Sequence, residues 1–152
     1  MDYLTRLGIA LGAPDSLAYQ AAGPYWEALW NRDVGGVPVP SDGTRVVMDP
    51  DGAFVSYLYT ETPVAPAPAS TISEAAALAK TPFCRNSSGG PNGLVETCAA
   101  KLEWHAPALT PGARLQLCWR IDYTRKDNDE SRASMVWLDA GTGETVDGAA
   151  TM

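Results

Sequence analysis

The chain has 152 residues, 45% of them apolar and 19% charged, with a formal net charge of −7. That size fits one domain of ordinary dimensions or two small ones sharing a core. The acidic balance argues against a nucleic-acid partner, whose phosphates need clustered Lys and Arg, and no apolar run is long enough to span a membrane.

The first residues show no basic region followed by an apolar stretch, so no secretory leader is read there. Asp2 to Leu11 sets Tyr3, Leu4, Leu7 and Leu11 at spacings of three and four, which predicts a short helix ended by Gly12 and Pro14. Leu17 to Gln20 reads as a strand. Tyr25 to Arg32 carries both signals: Glu27, Ala28 and Leu29 favour helix, whereas Tyr25, Trp26 and Trp30 favour strand, and strand is taken. Asp33 to Pro40 is a turn leading into an edge-like segment, because Pro38 and Pro40 cannot donate to a ladder. Thr44 to Met48 is a strand, Asp49-Pro50-Asp51-Gly52 a tight turn, and Phe54 to Thr60 the return strand.

Glu61 to Ala69 is proline-rich and extended, and it marks a domain boundary that divides the chain into residues 1–62 and 63–152. Thr71-Ile72-Ser73-Glu74 fits a capping box with Thr71 as N-cap. The alanine-rich run to Lys80 is then a helix, stopped before Pro82. Val95 to Glu103 is a strand. Leu115, Leu117, Trp119, Ile121 and Tyr123 alternate with smaller or polar residues, giving a half-buried strand. A polar tip from Thr124 to Arg132 follows, then a strand at Met135 to Leu138. The Asp139–Gly143 turn relies on glycine for positive φ, and Thr145-Val146 begins a short return strand. Both halves thus read as a helix followed by antiparallel strands and an Asp-containing turn. The predicted fold class is α+β, with two consecutive helix-plus-antiparallel-sheet units.

Two stretches carry a resemblance. The series Leu117-Cys118-Trp119-Arg120-Ile121-Asp122-Tyr123, a polar gap, then Val136-Trp137-Leu138-Asp139-Ala140-Gly141-Thr142-Gly143-Glu144 resembles the C-terminal half of a PepSY domain. The series from Trp30 to Tyr57, with its Gly-Val-Pro-Val and Asp-Pro-Asp-Gly parts in order, is similar to FTP-like propeptide modules. The resemblance implies a tandem FTP/PepSY-like domain of bacterial secreted or membrane-anchored proteins, with PepSY/cystatin-like units at 1–62 and 63–152. It implies a non-enzymatic binding or regulatory module, acting in peptidase inhibition or chaperoning. Its partner would be a protein or peptide, such as a peptidase, and its location extracellular or at the cell envelope.

Catalytic motifs are sparse. His105 is the only histidine, so any Ser or Cys triad would need it as base, and no nucleophile motif lies near it. A small hydrolase using His105 with the carboxylates Asp122, Asp139, Glu144 and Asp147 is the alternative from another class; a structural ectodomain of a tethered protein is the third reading. No catalytic, cofactor or metal residues are assigned. One histidine excludes the paired-histidine zinc motifs, Asp127 to Glu130 lacks the glycine of a calcium loop, and the glycine pairs match no nucleotide fingerprint. Asn86-Ser87-Ser88 is a formal glycosylation sequon. Cys84 and Cys98 flank a glycine-rich loop, and a disulfide there is favoured over three reduced, buried thiols, with Cys118 left over.

Two surfaces are candidates for a partner. Trp26 and Trp30 with Tyr57 and Tyr59 form an aromatic patch. Asp139, Glu144, Thr145 and Val146 lead into a C-terminal segment that offers an edge not blunted by proline.

Overall fold

The computed structural model describes residues 12–82, 84, 94–107, 112–127 and 130–150, and the helix predicted over Asp2 to Leu11 lies outside them. Eight strands follow one another: β1 (Ser16–Gln20), β2 (Tyr25–Val34), β3 (Val37–Met48), β4 (Phe54–Thr60), β5 (Leu94–His105), β6 (Gln116–Asp127), β7 (Glu130–Asp139) and β8 (Thr145–Ala150). One helix, α1 (Glu74–Lys80), lies between β4 and β5. The strands form two four-stranded antiparallel meanders, ordered β1-β2-β3-β4 and β5-β6-β7-β8. The α+β expectation of two helix-plus-sheet units is therefore corrected. The molecule is mostly β, with a single short helix among the described residues. The reason lies in composition. Among the described residues outside the alanine run at 74–80, β-branched and aromatic residues largely alternate with polar ones, and the other alanine-rich stretch, 65–69, is interrupted by Pro66 and Pro68.

The chain divides into two compact units, residues 1–62 and 63–152. In the first, Ala28 and Val46 are buried at the centre of the sheet, with Trp30, Met48 and Phe54 packed against them. The strand predicted at 44–48 is the second half of a longer one, since Val37–Met48 runs continuously past Pro38 and Pro40. Continuity requires a break in register opposite Asn31 and Arg32. Gly43 sits there at φ +134°, with Trp30 O where it would collide with a Cβ. Only glycine allows that backbone approach.

The turn into β4 closes as the Asp-Pro-Asp-Gly sequence dictates. Gly52 N donates to Asp49 O at 3.0 Å, and Ala53 N donates to the Asp49 carboxylate at 2.7 Å. At the far end of β4 the chain is clasped. Arg32 Nη1 donates to Asp42 Oδ2 (2.9 Å) and to Thr62 O (2.7 Å), while Thr62 donates its backbone N–H and its hydroxyl to Asp42.

In the second unit the proline-rich segment is extended. Val64 bridges Leu115 in parallel, with Ala65 N donating to Leu115 O and Leu115 N to Pro63 O. The helix starts two residues later than predicted. Ser73, not Thr71, is its N-cap, and its hydroxyl accepts from Ala76 N at 3.2 Å. Ile72 is committed elsewhere, its N–H donating to Ala140 O and its carbonyl accepting from Trp119 Nε1, so this segment cannot enter the first turn. Ala77, Ile121 and Leu138 form the core, with Ile72, Leu78, Ala100, Trp119 and Val136 around them. The polar tip is shorter than predicted. Pairing of β6 with β7 continues through Arg125↔Arg132 to Asp127↔Glu130, because cross-strand backbone bonding outweighs the polar composition of these residues.

Cys84 and Cys98 are disulfide-bonded, and Cys118 is a buried free thiol. Cys84 packs against the core below α1, so the bond ties the end of the helix to β5 across a sequence separation of 14. Replacing both cysteines by serine is expected to cost the second unit about 3 kcal/mol. Urea unfolding followed by tryptophan fluorescence measures it, and an unchanged midpoint would show that the bond contributes nothing.

Candidate functional site

The register of the first sheet places the four predicted aromatics on one face. Tyr19 pairs with Trp26 and Trp26 with Met48; Ala28 pairs with Val46 and Val46 with Tyr57; Trp30 pairs with Thr44 and Thr44 with Tyr59. Directly opposed residues in a ladder share a face. The two tryptophans are half-buried there. Trp30 belongs to the core and donates its indole N–H to Gly12 O at 3.0 Å, and Trp26 meets the Tyr19 ring at 5.2 Å. The solvent-facing members are Leu17, Tyr19, Tyr57 and Tyr59.

β4 is the more unusual element. It has β3 on one side and no strand on the other among the described residues. Every residue from Val55 to Tyr59 is exposed, including Val55 at 58%, Leu58 at 56% and Tyr59 at 54%. A shallow cavity of about 250 Å³ opens beside it, lined by Leu58, Thr60, Leu29, Arg45, Asn31 and Asp42 among others. Asp42 itself is buried. Burial raises its carboxyl, but the backbone and side-chain hydrogen bonds from Thr62, with those from Arg32 and Ser41, outweigh it and hold the group below the usual aspartate range.

A second constellation lies in the other unit, on the face of its sheet opposite α1. Lys101, Glu103 and His105 share that face of β5, Cys118, Arg120 and Asp122 of β6, and Trp137 of β7. Trp137 Nε1 donates to Glu103 Oε1 at 2.7 Å, and its ring stacks on His105 at 4.1 Å. Arg120 lies 5.9 Å from the same ring centroid and donates from Nε to Asp122 at 2.8 Å. His105 Nε2 is 3.0 Å from Asp147 Oδ2. β5 and β8 are the two edges of the sheet, about 14 Å apart if it were flat. The contact therefore requires a strongly curled sheet, with the side chains of its edges meeting over Trp137.

This arrangement is poor in chemistry. The one histidine is pinned between a carboxylate and an indole. Glu103, only 2% exposed, has an oxygen without a hydrogen bond, flanked by Lys101 Nζ at 3.5 Å and Arg120 Nη1 at 3.9 Å. Burial, reinforced by Asp139 and Glu103, pushes the Cys118 thiol up to about 12, so it stays protonated and unreactive at neutral pH. The four carboxylates of the hydrolase alternative do not converge. Asp122 opposes Met135, four residues along β7 from Asp139, a separation of about 13 Å. Asp139 is a turn residue, its carboxylate accepting from Gly141 N and Thr142 N. No group of three or more His, Cys, Asp or Glu side chains is placed to hold a metal among the described residues.

The C-terminal candidates are brought together by this turn. Glu144 and Thr145 are exposed at the start of β8 and Val146 is half-buried. The segment is a paired strand as far as Ser134↔Ala150, and Asp147 turns to His105. Sequence reasoning treated Glu103 and Arg120 as ordinary strand positions. The available signal was three ionisable residues at alternate positions, 101, 103 and 105, on one face of a strand.

No protein-family model and no curated protein matches the chain. Among solved structures it is similar to the Bacillus megaterium YpeB C-terminal domain, with a TM-score of 0.53 and 17% sequence identity. The match covers 99% of this chain and 61% of that one, so the chain spans about three fifths of that structure's length. The likeness is one of fold. No helix among the described residues is long and apolar enough to cross a membrane.

Proposed function

We propose that the chain is a non-catalytic binding or regulatory module for a protein or peptide partner, of the FTP–PepSY propeptide type, working at the cell envelope or outside the cell. The observation that carries this is the contrast between the two units. The first presents Leu17, Tyr19, Val55, Tyr57, Leu58 and Tyr59 to solvent, whereas in the second the groups suited to catalysis hold one another. Exposed apolar and aromatic side chains gathered along an edge strand are a mark of a partner site. The Cys84–Cys98 bond supports an oxidising compartment. A peptidase is the partner class that the sequence resemblance implies.

The test titrates the intact chain against a thermolysin-type metallopeptidase, following binding by surface resonance and inhibition by cleavage of a chromogenic peptide. Saturable binding that slows cleavage is the expected result; absence of both removes a metallopeptidase of this type as the partner. In parallel, His105→Ala is expected to cost about 1 kcal/mol through loss of the Asp147 contact, with no activity to lose. An esterase or glycosidase activity in the parent chain that vanishes in a still-folded His105→Ala variant would overturn the non-catalytic reading.

A further inference from the structure

We propose that β4 is a docking edge that takes up an extended, basic segment of a protein partner as a fifth strand of the first sheet. The proposal rests on the binding-module reading and adds to it the surface used and the chemistry of the segment.

Edge strands present unpaired backbone N–H and C=O groups and are normally protected by proline, charge, a bulge or brevity. This sheet shows such protection at one place and lacks it at another. The hairpin of β2 and β3 projects beyond β4, since β3 pairs with β4 only from Gly43 onwards. The projecting part of β3 carries Pro38 and Pro40 and is thereby blunted. β4 reads Phe-Val-Ser-Tyr-Leu-Tyr-Thr, with no proline and no charge over seven residues. The opposite edge, β1, has five residues and two large apolar side chains. An uncharged strand with aromatic and aliphatic side chains in water is either an aggregation hazard or the seat of a partner strand. Such a strand would bond to the β4 backbone, and its side chains would lie on Tyr57 and Tyr59 on one face and near Leu58 and the adjoining cavity on the other.

Charge decides which strand. Residues 1–62 carry eight acidic and three basic side chains. Exposed Asp51 stands at the turn before β4, and Glu61 just after it keeps a half-exposed carboxylate that also meets Arg32 at 3.4 Å and accepts from the Tyr59 hydroxyl. A complementary segment therefore has an apolar or β-branched centre of about seven residues, the length of β4, with a basic residue towards each end. A second copy of the chain is the wrong partner: antiparallel β4–β4 pairing would bring Asp51 of each copy towards Glu61 of the other, like charges facing across a ladder.

The probe is the acetylated, amidated peptide KTVTVTVTK, with ETVTVTVTE as its acidic counterpart, each titrated by fluorescence anisotropy into the intact chain. Amide exchange is read in parallel over Phe54–Thr60, Ser16–Gln20 and Thr145–Ala150. The basic peptide is expected to bind and to slow exchange in Phe54–Thr60 alone, with Kd weakened several-fold between about 0.05 and 0.5 M salt. Leu58→Lys, at a site exposed enough to leave folding intact, weakens it about tenfold; Ser16→Lys, exposed on the other edge, leaves it unchanged. Four results overturn the proposal: no binding of the basic peptide, equal binding of the acidic one, protection on β1 or β8 instead, or slowed exchange in Phe54–Thr60 that appears on self-association without peptide. If the peptide misses β4 while the chain still binds and slows a metallopeptidase, the docking edge falls and the binding module stands. If the peptide protects β4 while no peptidase is bound or slowed, the docking edge stands and the peptidase partner falls.

Discussion

Asp42→Ala is expected to lower the stability of the first unit by roughly 3 kcal/mol, because it leaves the Arg32 guanidinium and the Thr62 N–H without their shared acceptor. The Asp42 side chain is fully buried and Arg32 only 18% exposed, so solvent screens the pair weakly. The same carboxylate carries a pH signature. Its folded-state pKa lies below the ordinary aspartate value of about 3.9, despite burial, because the folded chain donates hydrogen bonds to the ionised form. A depressed carboxyl stabilises the fold fully above the unfolded value, and that contribution disappears as pH falls through the folded one. Urea midpoints of the parent should therefore drop as pH is lowered from about 5 to 3, and drop less in Asp42→Asn, which has no charge to lose. A parallel acid loss in both chains would assign the effect to other carboxylates. The clasp also fixes how β4 ends, so Asp42→Ala should speed amide exchange at Thr60 and Thr62 more than at Val46.

How much of this was legible follows from the range of each interaction. Local periodicity located every strand in outline: the alternation Leu115 to Tyr123 lies across the start of β6, and Asp49-Pro50-Asp51-Gly52 closes the turn its residues specify. The choice of strand over helix at Tyr25 to Arg32 agrees with β2, where Trp26, Ala28 and Trp30 share a face. The α+β assignment misled because it treated a repeat of strands as a repeat of whole helix-plus-sheet units. The N-cap was misplaced because Thr71 and Ser73 both satisfy local capping chemistry, and only the distant Ala140 and Trp119, which engage Ile72, decide between them. The same holds for the sites. The aromatic patch was visible as residue types, but its division into half-buried Trp26 and Trp30 and exposed Tyr57 and Tyr59 depends on packing. The lack of protection along β4 emerges only once its neighbour is known to lie on one side.

Trp137→Phe is expected to destabilise the second unit by about 2–3 kcal/mol, although it keeps an aromatic ring at a buried site. The indole N–H is the 2.7 Å donor to Glu103, whose other oxygen already lacks a hydrogen bond. Removing it leaves a carboxylate that is 2% exposed, with only Lys101 and Arg120 beyond hydrogen-bond distance for company. Trp137→Ala should cost more, about 4 kcal/mol, since it also empties the space over which His105 and Arg120 lie. A double variant separates the causes. If the stranded carboxylate is responsible, Trp137→Phe with Glu103→Leu recovers much of the loss, because removing both partners of a buried polar pair is far cheaper than removing one. Chemical denaturation of the four chains gives the coupling directly. A double variant no more stable than Trp137→Phe alone would place the loss in packing and the His105 stack. Recovery would instead make Glu103, His105 and Trp137 the bracing of a curled sheet.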